Sequence, residues 1–280
     1  LGLSAGTPVS AAIIDAHAGV PGVGAATDGL LVMVMGTSSC HMLNAVEDRF
    51  VPGVAGVVKN GILPGYFGYE TGQAAVGDAF DWLRNLLGHK DHSELAREAA
   101  TLPPGAEGIT CLDWMNGCRT PLMDGNLSGV FAGLKMHHGA AHLYRALLEA
   151  SAYGVRWIVD SLEEGGVSVN GFIATGGLPH HNPELVQIYA DVLGKPISVH
   201  PSKQGPALGA AVLGALAAGP ERSGFNTAAA AIETMAAPRE DDESRQLNNV
   251  QPSAKNKPHY DKAYAEYRRI ADSFTKKENS

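Results

Sequence analysis

The residues best suited to chemistry sit in two glycine turns and beside one acid. Gly36-Thr-Ser-Ser39 follows a continuous apolar run and offers backbone N–H groups and three hydroxyls, a set that could hold phosphate oxygens. Thr175-Gly-Gly177 ends a second apolar run. It leaves bare backbone at a strand's carboxyl end, where a flat or phosphorylated ligand can come close. Both also read as plain turns, because glycine turns are common in α/β domains. Asp15 closes a third apolar stretch, residues 9–16, with His17 just beyond it. An acid at the carboxyl end of a strand is placed to take a proton, whereas in mid-strand it would be costly to bury. The same Asp also reads as the cap of a turn.

Other chemistries find less in the chain. No GxxxxGK[ST] loop occurs, which argues against a P-loop nucleotide site. Gly22-Val-Gly24 lacks both the third glycine and the preceding strand of a dinucleotide fingerprint. The pairs His137-His138 and His180-His181 are adjacent, so their side chains should diverge, and no spaced carboxylate or Cys accompanies them; no metal site is expected. The GxSxG of a serine triad occurs at Gly2-Leu-Ser-Ala-Gly6, but Thr7-Pro8 and an apolar run follow it rather than a helix, so the strand–turn–helix context of such a nucleophile is missing. Phosphate handling by glycine turns remains, with Asp15 as the candidate base.

Periodicity supplies the elements that hold these residues. Residues 30–35 read as a strand buried on both faces, and residues 40–46 return beside it, so the Gly-Thr-Ser-Ser turn joins a hairpin. Residues 54–60 and 62–66 add a further strand or hairpin. Glu70-Thr-Gly-Gln73 opens a helix that runs to residue 87, with Ala79, Phe80, Leu83 and Leu86 as its apolar stripe. Residues 92–101 form a second helix, while 109–114 and 126–134 are extended. The longest helix covers 138–164, with Leu147, Ile158 and Leu162 facing the core and Arg145 paired with Glu149 on the outside. A strand (172–177), a helix (184–193) and a strand (195–200) follow. Gly205-Pro206 starts another helix, with Pro at its first position and Gly209, Ala210 and Gly214 as a small-residue face. From residue 220 the composition turns Ala-rich, charged and polar, which reads as a flexible or peripheral segment. Tyr260, Ala263, Tyr264, Tyr267 and Ile270 then mark a terminal amphipathic helix.

The 280 residues suffice for one large domain or two smaller ones. A formal charge of −8 argues against nucleic acid or an anionic membrane as partner. No apolar segment reaches the roughly 18 residues that span a bilayer. Cys40, Cys111 and Cys118 lack CxxC spacing and suit a reducing cytoplasm. The chain opens on Leu1 rather than Met, and the expectation is a fragment of something longer.

The run Gly129-Val-Phe-Ala-Gly133-Leu134, seven further residues, and His142-Leu143-Tyr-Arg-Ala146-Leu-Leu-Glu149 resembles the signature of the FGGY carbohydrate kinases. Gly36-Thr37 is similar to the second phosphate motif of that family's actin-like ATPase (ribonuclease H-like) fold, a mixed sheet flanked by helices. Thr175-Gly-Gly177 through Ala190-Asp191 resembles its adenosine motif, and residues 205–214 its second connecting helix. Asp15-Ala16-His17, Glu70-Thr-Gly-Gln73-Ala-Ala-Val-Gly77-Asp78, and Asn182-Pro183 with Gln187-Ile-Tyr-Ala-Asp191 are most similar to the branch that phosphorylates L-ribulose in arabinose catabolism. The resemblance covers residues 1–219 and the terminal helix.

It implies a sugar kinase that uses ATP and Mg²⁺, with Asp15 as catalytic base and Asp15 and His17 near the sugar. Gly36 and Thr37 would bind the phosphates, Gly77 and Asp81 would lie near the nucleotide, and Gly176 and Gly177 would flank adenine and ribose. His181 or Asn182 would contact the base, although His181 departs from the family's usual residues. The implied division is 1–24 as the end of an amino-terminal sugar-binding domain and 25–219 as the ATP-binding domain. A variable linker (220–257) and a terminal helix (258–280) complete it. The family's first phosphate motif, Asp-x-Gly-Thr, does not occur here, so the amino-terminal domain is an expected partner and the 280 residues alone are expected to be nearly inactive. A homodimer is compatible with the sequence. The rival expectations are a sister kinase for xylulose, glycerol or gluconate, and a non-catalytic actin-like nucleotide-binding module.

Overall fold

The six apolar residues of β1 (Leu30–Met35) sit at the centre of a seven-stranded sheet, and the rest of the chain is laid out around them. The computed structural model describes residues 2–88, 91–202, 204–238 and 247–275. Residues 9–14 form no strand; α1 (Asp15–Gly22) begins at the acid itself, which therefore opens a helix instead of closing a strand. Only a partner strand could have satisfied that stretch as β structure, and among the described residues none lies beside it.

After β1 the chain turns through residues 36–38 into β2 (Ser39–Ala45), antiparallel to it, with Met35 opposite Ser39. β3 (Gly56–Lys59) and β4 (Phe67–Gln73) form a hairpin, but β4 lies wholly beyond the expected 62–66 and ends seven residues past it. Glu70-Thr-Gly-Gln73 therefore belongs to a strand. Its alternation of Tyr69, Thr71 and Gln73 with Gly68, Glu70 and Gly72 has period two, and cross-strand pairing with β2 outweighs the helix-start character of Glu, Thr and Gln. The helix begins only at α2 (Gly77–Leu86), where Leu86 faces solvent rather than the core.

α3 (His92–Ala100), capped by Asp91, leads to a small separate pair of strands, β5 (Thr110–Leu112) and β6 (Val130–Ala132). α4 (Ala140–Glu164) is the longest helix. β7 (Gly171–Thr175) lies parallel to β1, followed by the short α5 (Gly177–His181), α6 (Pro183–Leu193) and the parallel β8 (Ile197–Val199). α7 (Gly205–Ala218), α8 (Pro220–Ser223) and α9 (Ala228–Met235) precede an edge strand, β9 (Asn248–Val250), and the chain's last described helix is α10 (Lys257–Thr275). The sheet order is β3-β4-β2-β1-β7-β8-β9, with β1, β7 and β8 parallel and the others antiparallel.

The sheet divides the core in two. Leu31, Met33 and Met35 face α4, α6 and α10, whose Tyr260, Tyr264, Tyr267 and Ile270 are buried as the aromatic spacing required. Val32 faces α1, α7 and α9. The segment after residue 220 is thus not merely peripheral: Ala231 and Ile232 of α9 are fully buried, and β9 pairs with β8. Buried Asp191 secures the return to α10 by accepting from Ser253 N and Asn256 Nδ2, both at 2.7 Å. The acidic stretch from 239 to 246 lies outside the described residues. Arg145 and Glu149 also depart from expectation, being 4% and 1% exposed, so their pair is internal.

α1 and α7 touch backbone to backbone. A Cβ at Gly209 would lie 1.7 Å from Ala18 O, and one at Gly22 would lie 1.8 Å from Gly205 O, whereas Gly214 faces open space. Gly209→Ala is accordingly expected to lower stability by about 1–3 kcal/mol, because neither backbone can retreat without opening the core. Urea unfolding measures this, and an unchanged midpoint would mean that the two helices slide apart freely.

Candidate active site

The Gly-Thr-Ser-Ser turn is held from two sides. Thr37 O accepts from Val76 N at 2.9 Å and Asp78 N at 3.2 Å, and Gly36 O accepts from Gly77 N at 3.0 Å, so the turn's carbonyls satisfy the first N–H groups of α2. A Cβ at Gly77 would meet Gly36 O at 2.6 Å. On the other side, Gly176 has φ +97° and a Cβ there would meet Met35 O at 2.5 Å, so no other residue fits the bend at the end of β7. The turn's own hydroxyls at Thr37 and Ser38 stay exposed.

Beside this junction, on the α4 side of the sheet, lies a cavity of about 410 Å³ lined by Gly77, Phe80, His92, Tyr144, Leu178, His181 and Asn182. Three residues marked from sequence (Gly77, His181, Asn182) therefore line the same cavity. Asn182 caps α6, its Oδ1 accepting from Leu185 N at 3.1 Å, which leaves its NH₂ group free of that duty. His92 and Tyr144 had no local signal: their ring and hydroxyl meet at 3.3 Å across 52 residues of chain. Burial pushes the Tyr144 phenol up to about 12, so it stays a hydroxyl. Asp81 does not line the cavity. It is exposed, and its carboxylate is taken by Arg84 at 2.5 Å and by His92 Nε2 at 3.3 Å; these bonds, Arg84 first, hold it below the usual carboxylate range. Its reach toward the cavity runs through His92.

Asp15 lies on the opposite face. Met42 pairs with both Val32 and Glu70, so Glu70 projects to the α1 side of the sheet. There His17 Nε2 approaches Glu70 Oε2 at 3.5 Å, and Arg119 forms an ion pair with Glu70 Oε1. Glu70 stands three strand residues from Gln73, the partner of Ser39, so this group is about 10 Å along the sheet from the phosphate turn. Asp15 opens the same helical turn as His17, with Oδ1 accepting from Ala16 N at 2.8 Å. The turn at 36–38 thus stands at the rim between a cavity on one face and the His17–Glu70–Arg119 group on the other, with Asp15 two residues before His17. Glu70 and Arg119 were not singled out as site residues, since nothing local joins positions 49 residues apart.

The histidines at 137 and 138 do not diverge as expected. Their rings lie 4.2 Å apart, and one ligand atom from each comes within 4.8 Å of the other and of Glu107. Lys135 N donates to His138 Nδ1 at 3.0 Å, so in the neutral ring that lone pair is engaged and Nε2 carries the proton. As hydrogen-bonded, His138 has no nitrogen to offer a metal.

Residues 31–218 match the model of the FGGY family of carbohydrate kinases, C-terminal domain. The whole chain aligns at 45% identity with a ribulokinase from Shouchella clausii, covering 51% of that protein, and 98% of it aligns at 40% with a ribulokinase from Mycolicibacterium smegmatis, covering 48%. The chain spans about half the length of the curated relatives it matches. Among solved structures, a xylulose kinase from Rhodospirillum rubrum superposes over 97% of this chain and 52% of its own with TM-score 0.82 and 26% identity. A Plasmodium falciparum glycerol kinase with ADP does so at 0.76 over 94% of this chain and 50% of its own, with 19% identity, a likeness of fold. With the mixed helix-flanked sheet, the shared actin-like fold and a family match across most of its length, the chain belongs to the FGGY family of carbohydrate kinases.

Proposed function

We propose that this chain is the ATP-binding half of a cytoplasmic kinase that phosphorylates the terminal hydroxyl of L-ribulose. The observation that carries the reading is the rim position of the phosphate turn, between a cavity of nucleotide size and the face where α1 carries Asp15 and His17. The cavity fits a nucleoside: it offers Leu178 and Phe80 as apolar walls and the Asn182 amide as a donor. Glycines at 77 and 176 leave backbone where a Cβ could not stand. Thr37 and Ser38 hydroxyls would take phosphate oxygens, with Gly177 beside the ribose. ATP supplies the phosphoryl group, and such transfer asks chiefly for positioning and charge neutralisation. Mg²⁺ would come with the nucleotide. Among the described residues the one grouping of three metal-ligand side chains is at 107, 137 and 138, outside this cavity, so no carboxylate here is assigned to the ion.

On the other face, Asp15 would accept the proton of the attacking hydroxyl. His17 and Glu70, fixed by Arg119, would hold neighbouring sugar hydroxyls. L-ribulose as substrate rests on the likeness to ribulokinases, since few sugar contacts belong to this half. An amino-terminal domain of the kind that makes up the other half of such relatives would complete the sugar pocket.

The test is direct. ADP titrated into the purified chain is expected to bind with Kd in the micromolar to millimolar range, and Asn182→Ala to weaken it about three- to tenfold by removing one donor. ADP formation with L-ribulose by the chain alone is expected near background. Saturable turnover of the isolated chain, or ADP binding indifferent to Asn182, would remove the reading.

A further inference from the structure

The walls of the cavity come from α2, α3, α4 and α5, with Asn182 at the start of α6, and one buried side chain of α4 behind them bonds to both α3 and α6. Arg145 follows Tyr144 in α4 and does not itself line the cavity. Its Nη1 donates to Glu184 Oε1 at 2.7 Å, in the first turn of α6, and to Ala99 O at 3.5 Å, at the end of α3. Its Nε donates to Glu149 Oε1 at 2.8 Å, and its Nη2 to Tyr260 Oη at 2.7 Å on α10. Glu149 in turn accepts from Gly105 N at 3.0 Å, which secures the loop after α3. α3 brings His92 to the cavity, and α6 begins at Asn182. The guanidinium is planar, with its donors in a fixed fork, so partners on different helices are held at set angles to one another.

We infer that Arg145 is a positioning residue for the nucleotide: through Glu184 and Ala99 O it sets the gap between His92 on one wall and His181 and Asn182 on the other. This rests on the reading of the cavity as the adenosine site. Two neighbouring facts favour a role in spacing over mere stability. Glu184 is only partly buried, its side chain 32% exposed, so the core does not need its charge. Its bond lies two residues from the cap that orients Asn182, where a small rotation of α6 moves a ligand donor directly.

Arg145 itself is a poor test, because removing it strands Glu149 as an uncompensated buried charge and destabilises the fold as a whole. Its spokes can be cut singly. Glu184→Ala cuts the spoke toward the cavity, and Tyr260→Phe cuts the one pointing away from it, each removing a single bond to the same guanidinium. Glu184→Ala is expected to weaken ADP binding about tenfold, and Tyr260→Phe to leave it within about twofold at a similar loss of melting temperature. Glu184→Gln, which keeps an acceptor oxygen, should fall between wild type and Glu184→Ala. Amide exchange across residues 178–186 should quicken in Glu184→Ala without any nucleotide present, and not in Tyr260→Phe. Equal ADP affinities in the two variants, or unaltered exchange at 178–186 in Glu184→Ala, overturn the inference. If exchange responds as expected but wild type and variants alike ignore ADP, the adenosine reading itself falls, and Arg145 holds α3 and α6 for stability alone.

Discussion

Replacing Asp15 with asparagine is expected to lower L-ribulose phosphorylation by about 10²–10⁴-fold, the usual contribution of a positioned general base, while ADP affinity stays within about twofold. The separation of effects follows from the layout. Asp15 is exposed on the α1 side of the sheet, whereas the cavity lies on the α4 side. Asparagine keeps the Oδ1 acceptor that Ala16 N uses, so α1 starts in the same place and only the basic oxygen is lost. The measurement is made in this chain fused behind the amino-terminal half of a ribulokinase relative, because the isolated chain has no expected baseline. Turnover within about tenfold of the parent fusion would move the base elsewhere, with Glu70 next to examine. A joint loss of turnover and ADP binding would mean instead that α1 had been disturbed.

Much of this layout was legible in the residues because its signals are local. An apolar run that stops at Gly-Thr-Ser-Ser, and another that stops at Gly-Gly, each specify a strand and the bend that ends it within a dozen residues. The tyrosine spacing of α10 likewise specified its buried face. What escaped was non-local or depended on partners. Glu70-Thr-Gly-Gln73 reads as a helix start in isolation, and becomes a strand because β2 lies beside it. Asp15 reads as the end of a strand, but among the described residues no strand lies beside residues 9–14. Arg145 and Glu149 carry the spacing of an ordinary surface ion pair. They are internal because α10 and the loop at Gly105 close over them, a contact made across 115 and 44 residues. Asp81 was placed at the nucleotide by its position one turn after Gly77. The structure turns it outward to Arg84 and leaves His92 as the link.

The second large effect concerns acid rather than catalysis. His41, Gln73, Asp113 and Tyr267 form one buried chain: Gln73 Nε2 donates to Asp113 Oδ2 at 2.8 Å and to Ser151 O at 2.9 Å, and Tyr267 Oη donates to Asp113 Oδ1 at 3.0 Å. Those acceptors orient the Gln73 amide, so its Oε1 faces His41 Nε2 at 3.2 Å and the neutral ring carries its proton there. His41 Nδ1 is buried without a partner among the described residues, so a second proton would have no acceptor. Burial, with Arg119 adding to it, takes His41 down to about 4, although the Gln73 bond pulls the other way. Burial takes Asp113 up to about 6 against the two bonds it accepts. The signs oppose. His41, depressed from 6.5, contributes stability that is present above pH 6.5 and lost as pH falls through about 4. Asp113, raised from 3.8, contributes stability that is present below pH 3.8 and lost as pH rises through about 6. Each shift corresponds to about 3 kcal/mol, so between pH 4 and 6.5 the two nearly cancel. Cutting either one exposes the other. In Asp113→Asn, urea unfolding should show stability rising by about 3 kcal/mol relative to wild type from pH 4 to 6.5. In His41→Gln, which retains a donor to Gln73, it should fall by about as much. Taking each variant against wild type at every pH removes the titrations the proteins share. Parallel curves in both variants would mean that water reaches this chain of side chains and that neither group is held away from its ordinary ionisation.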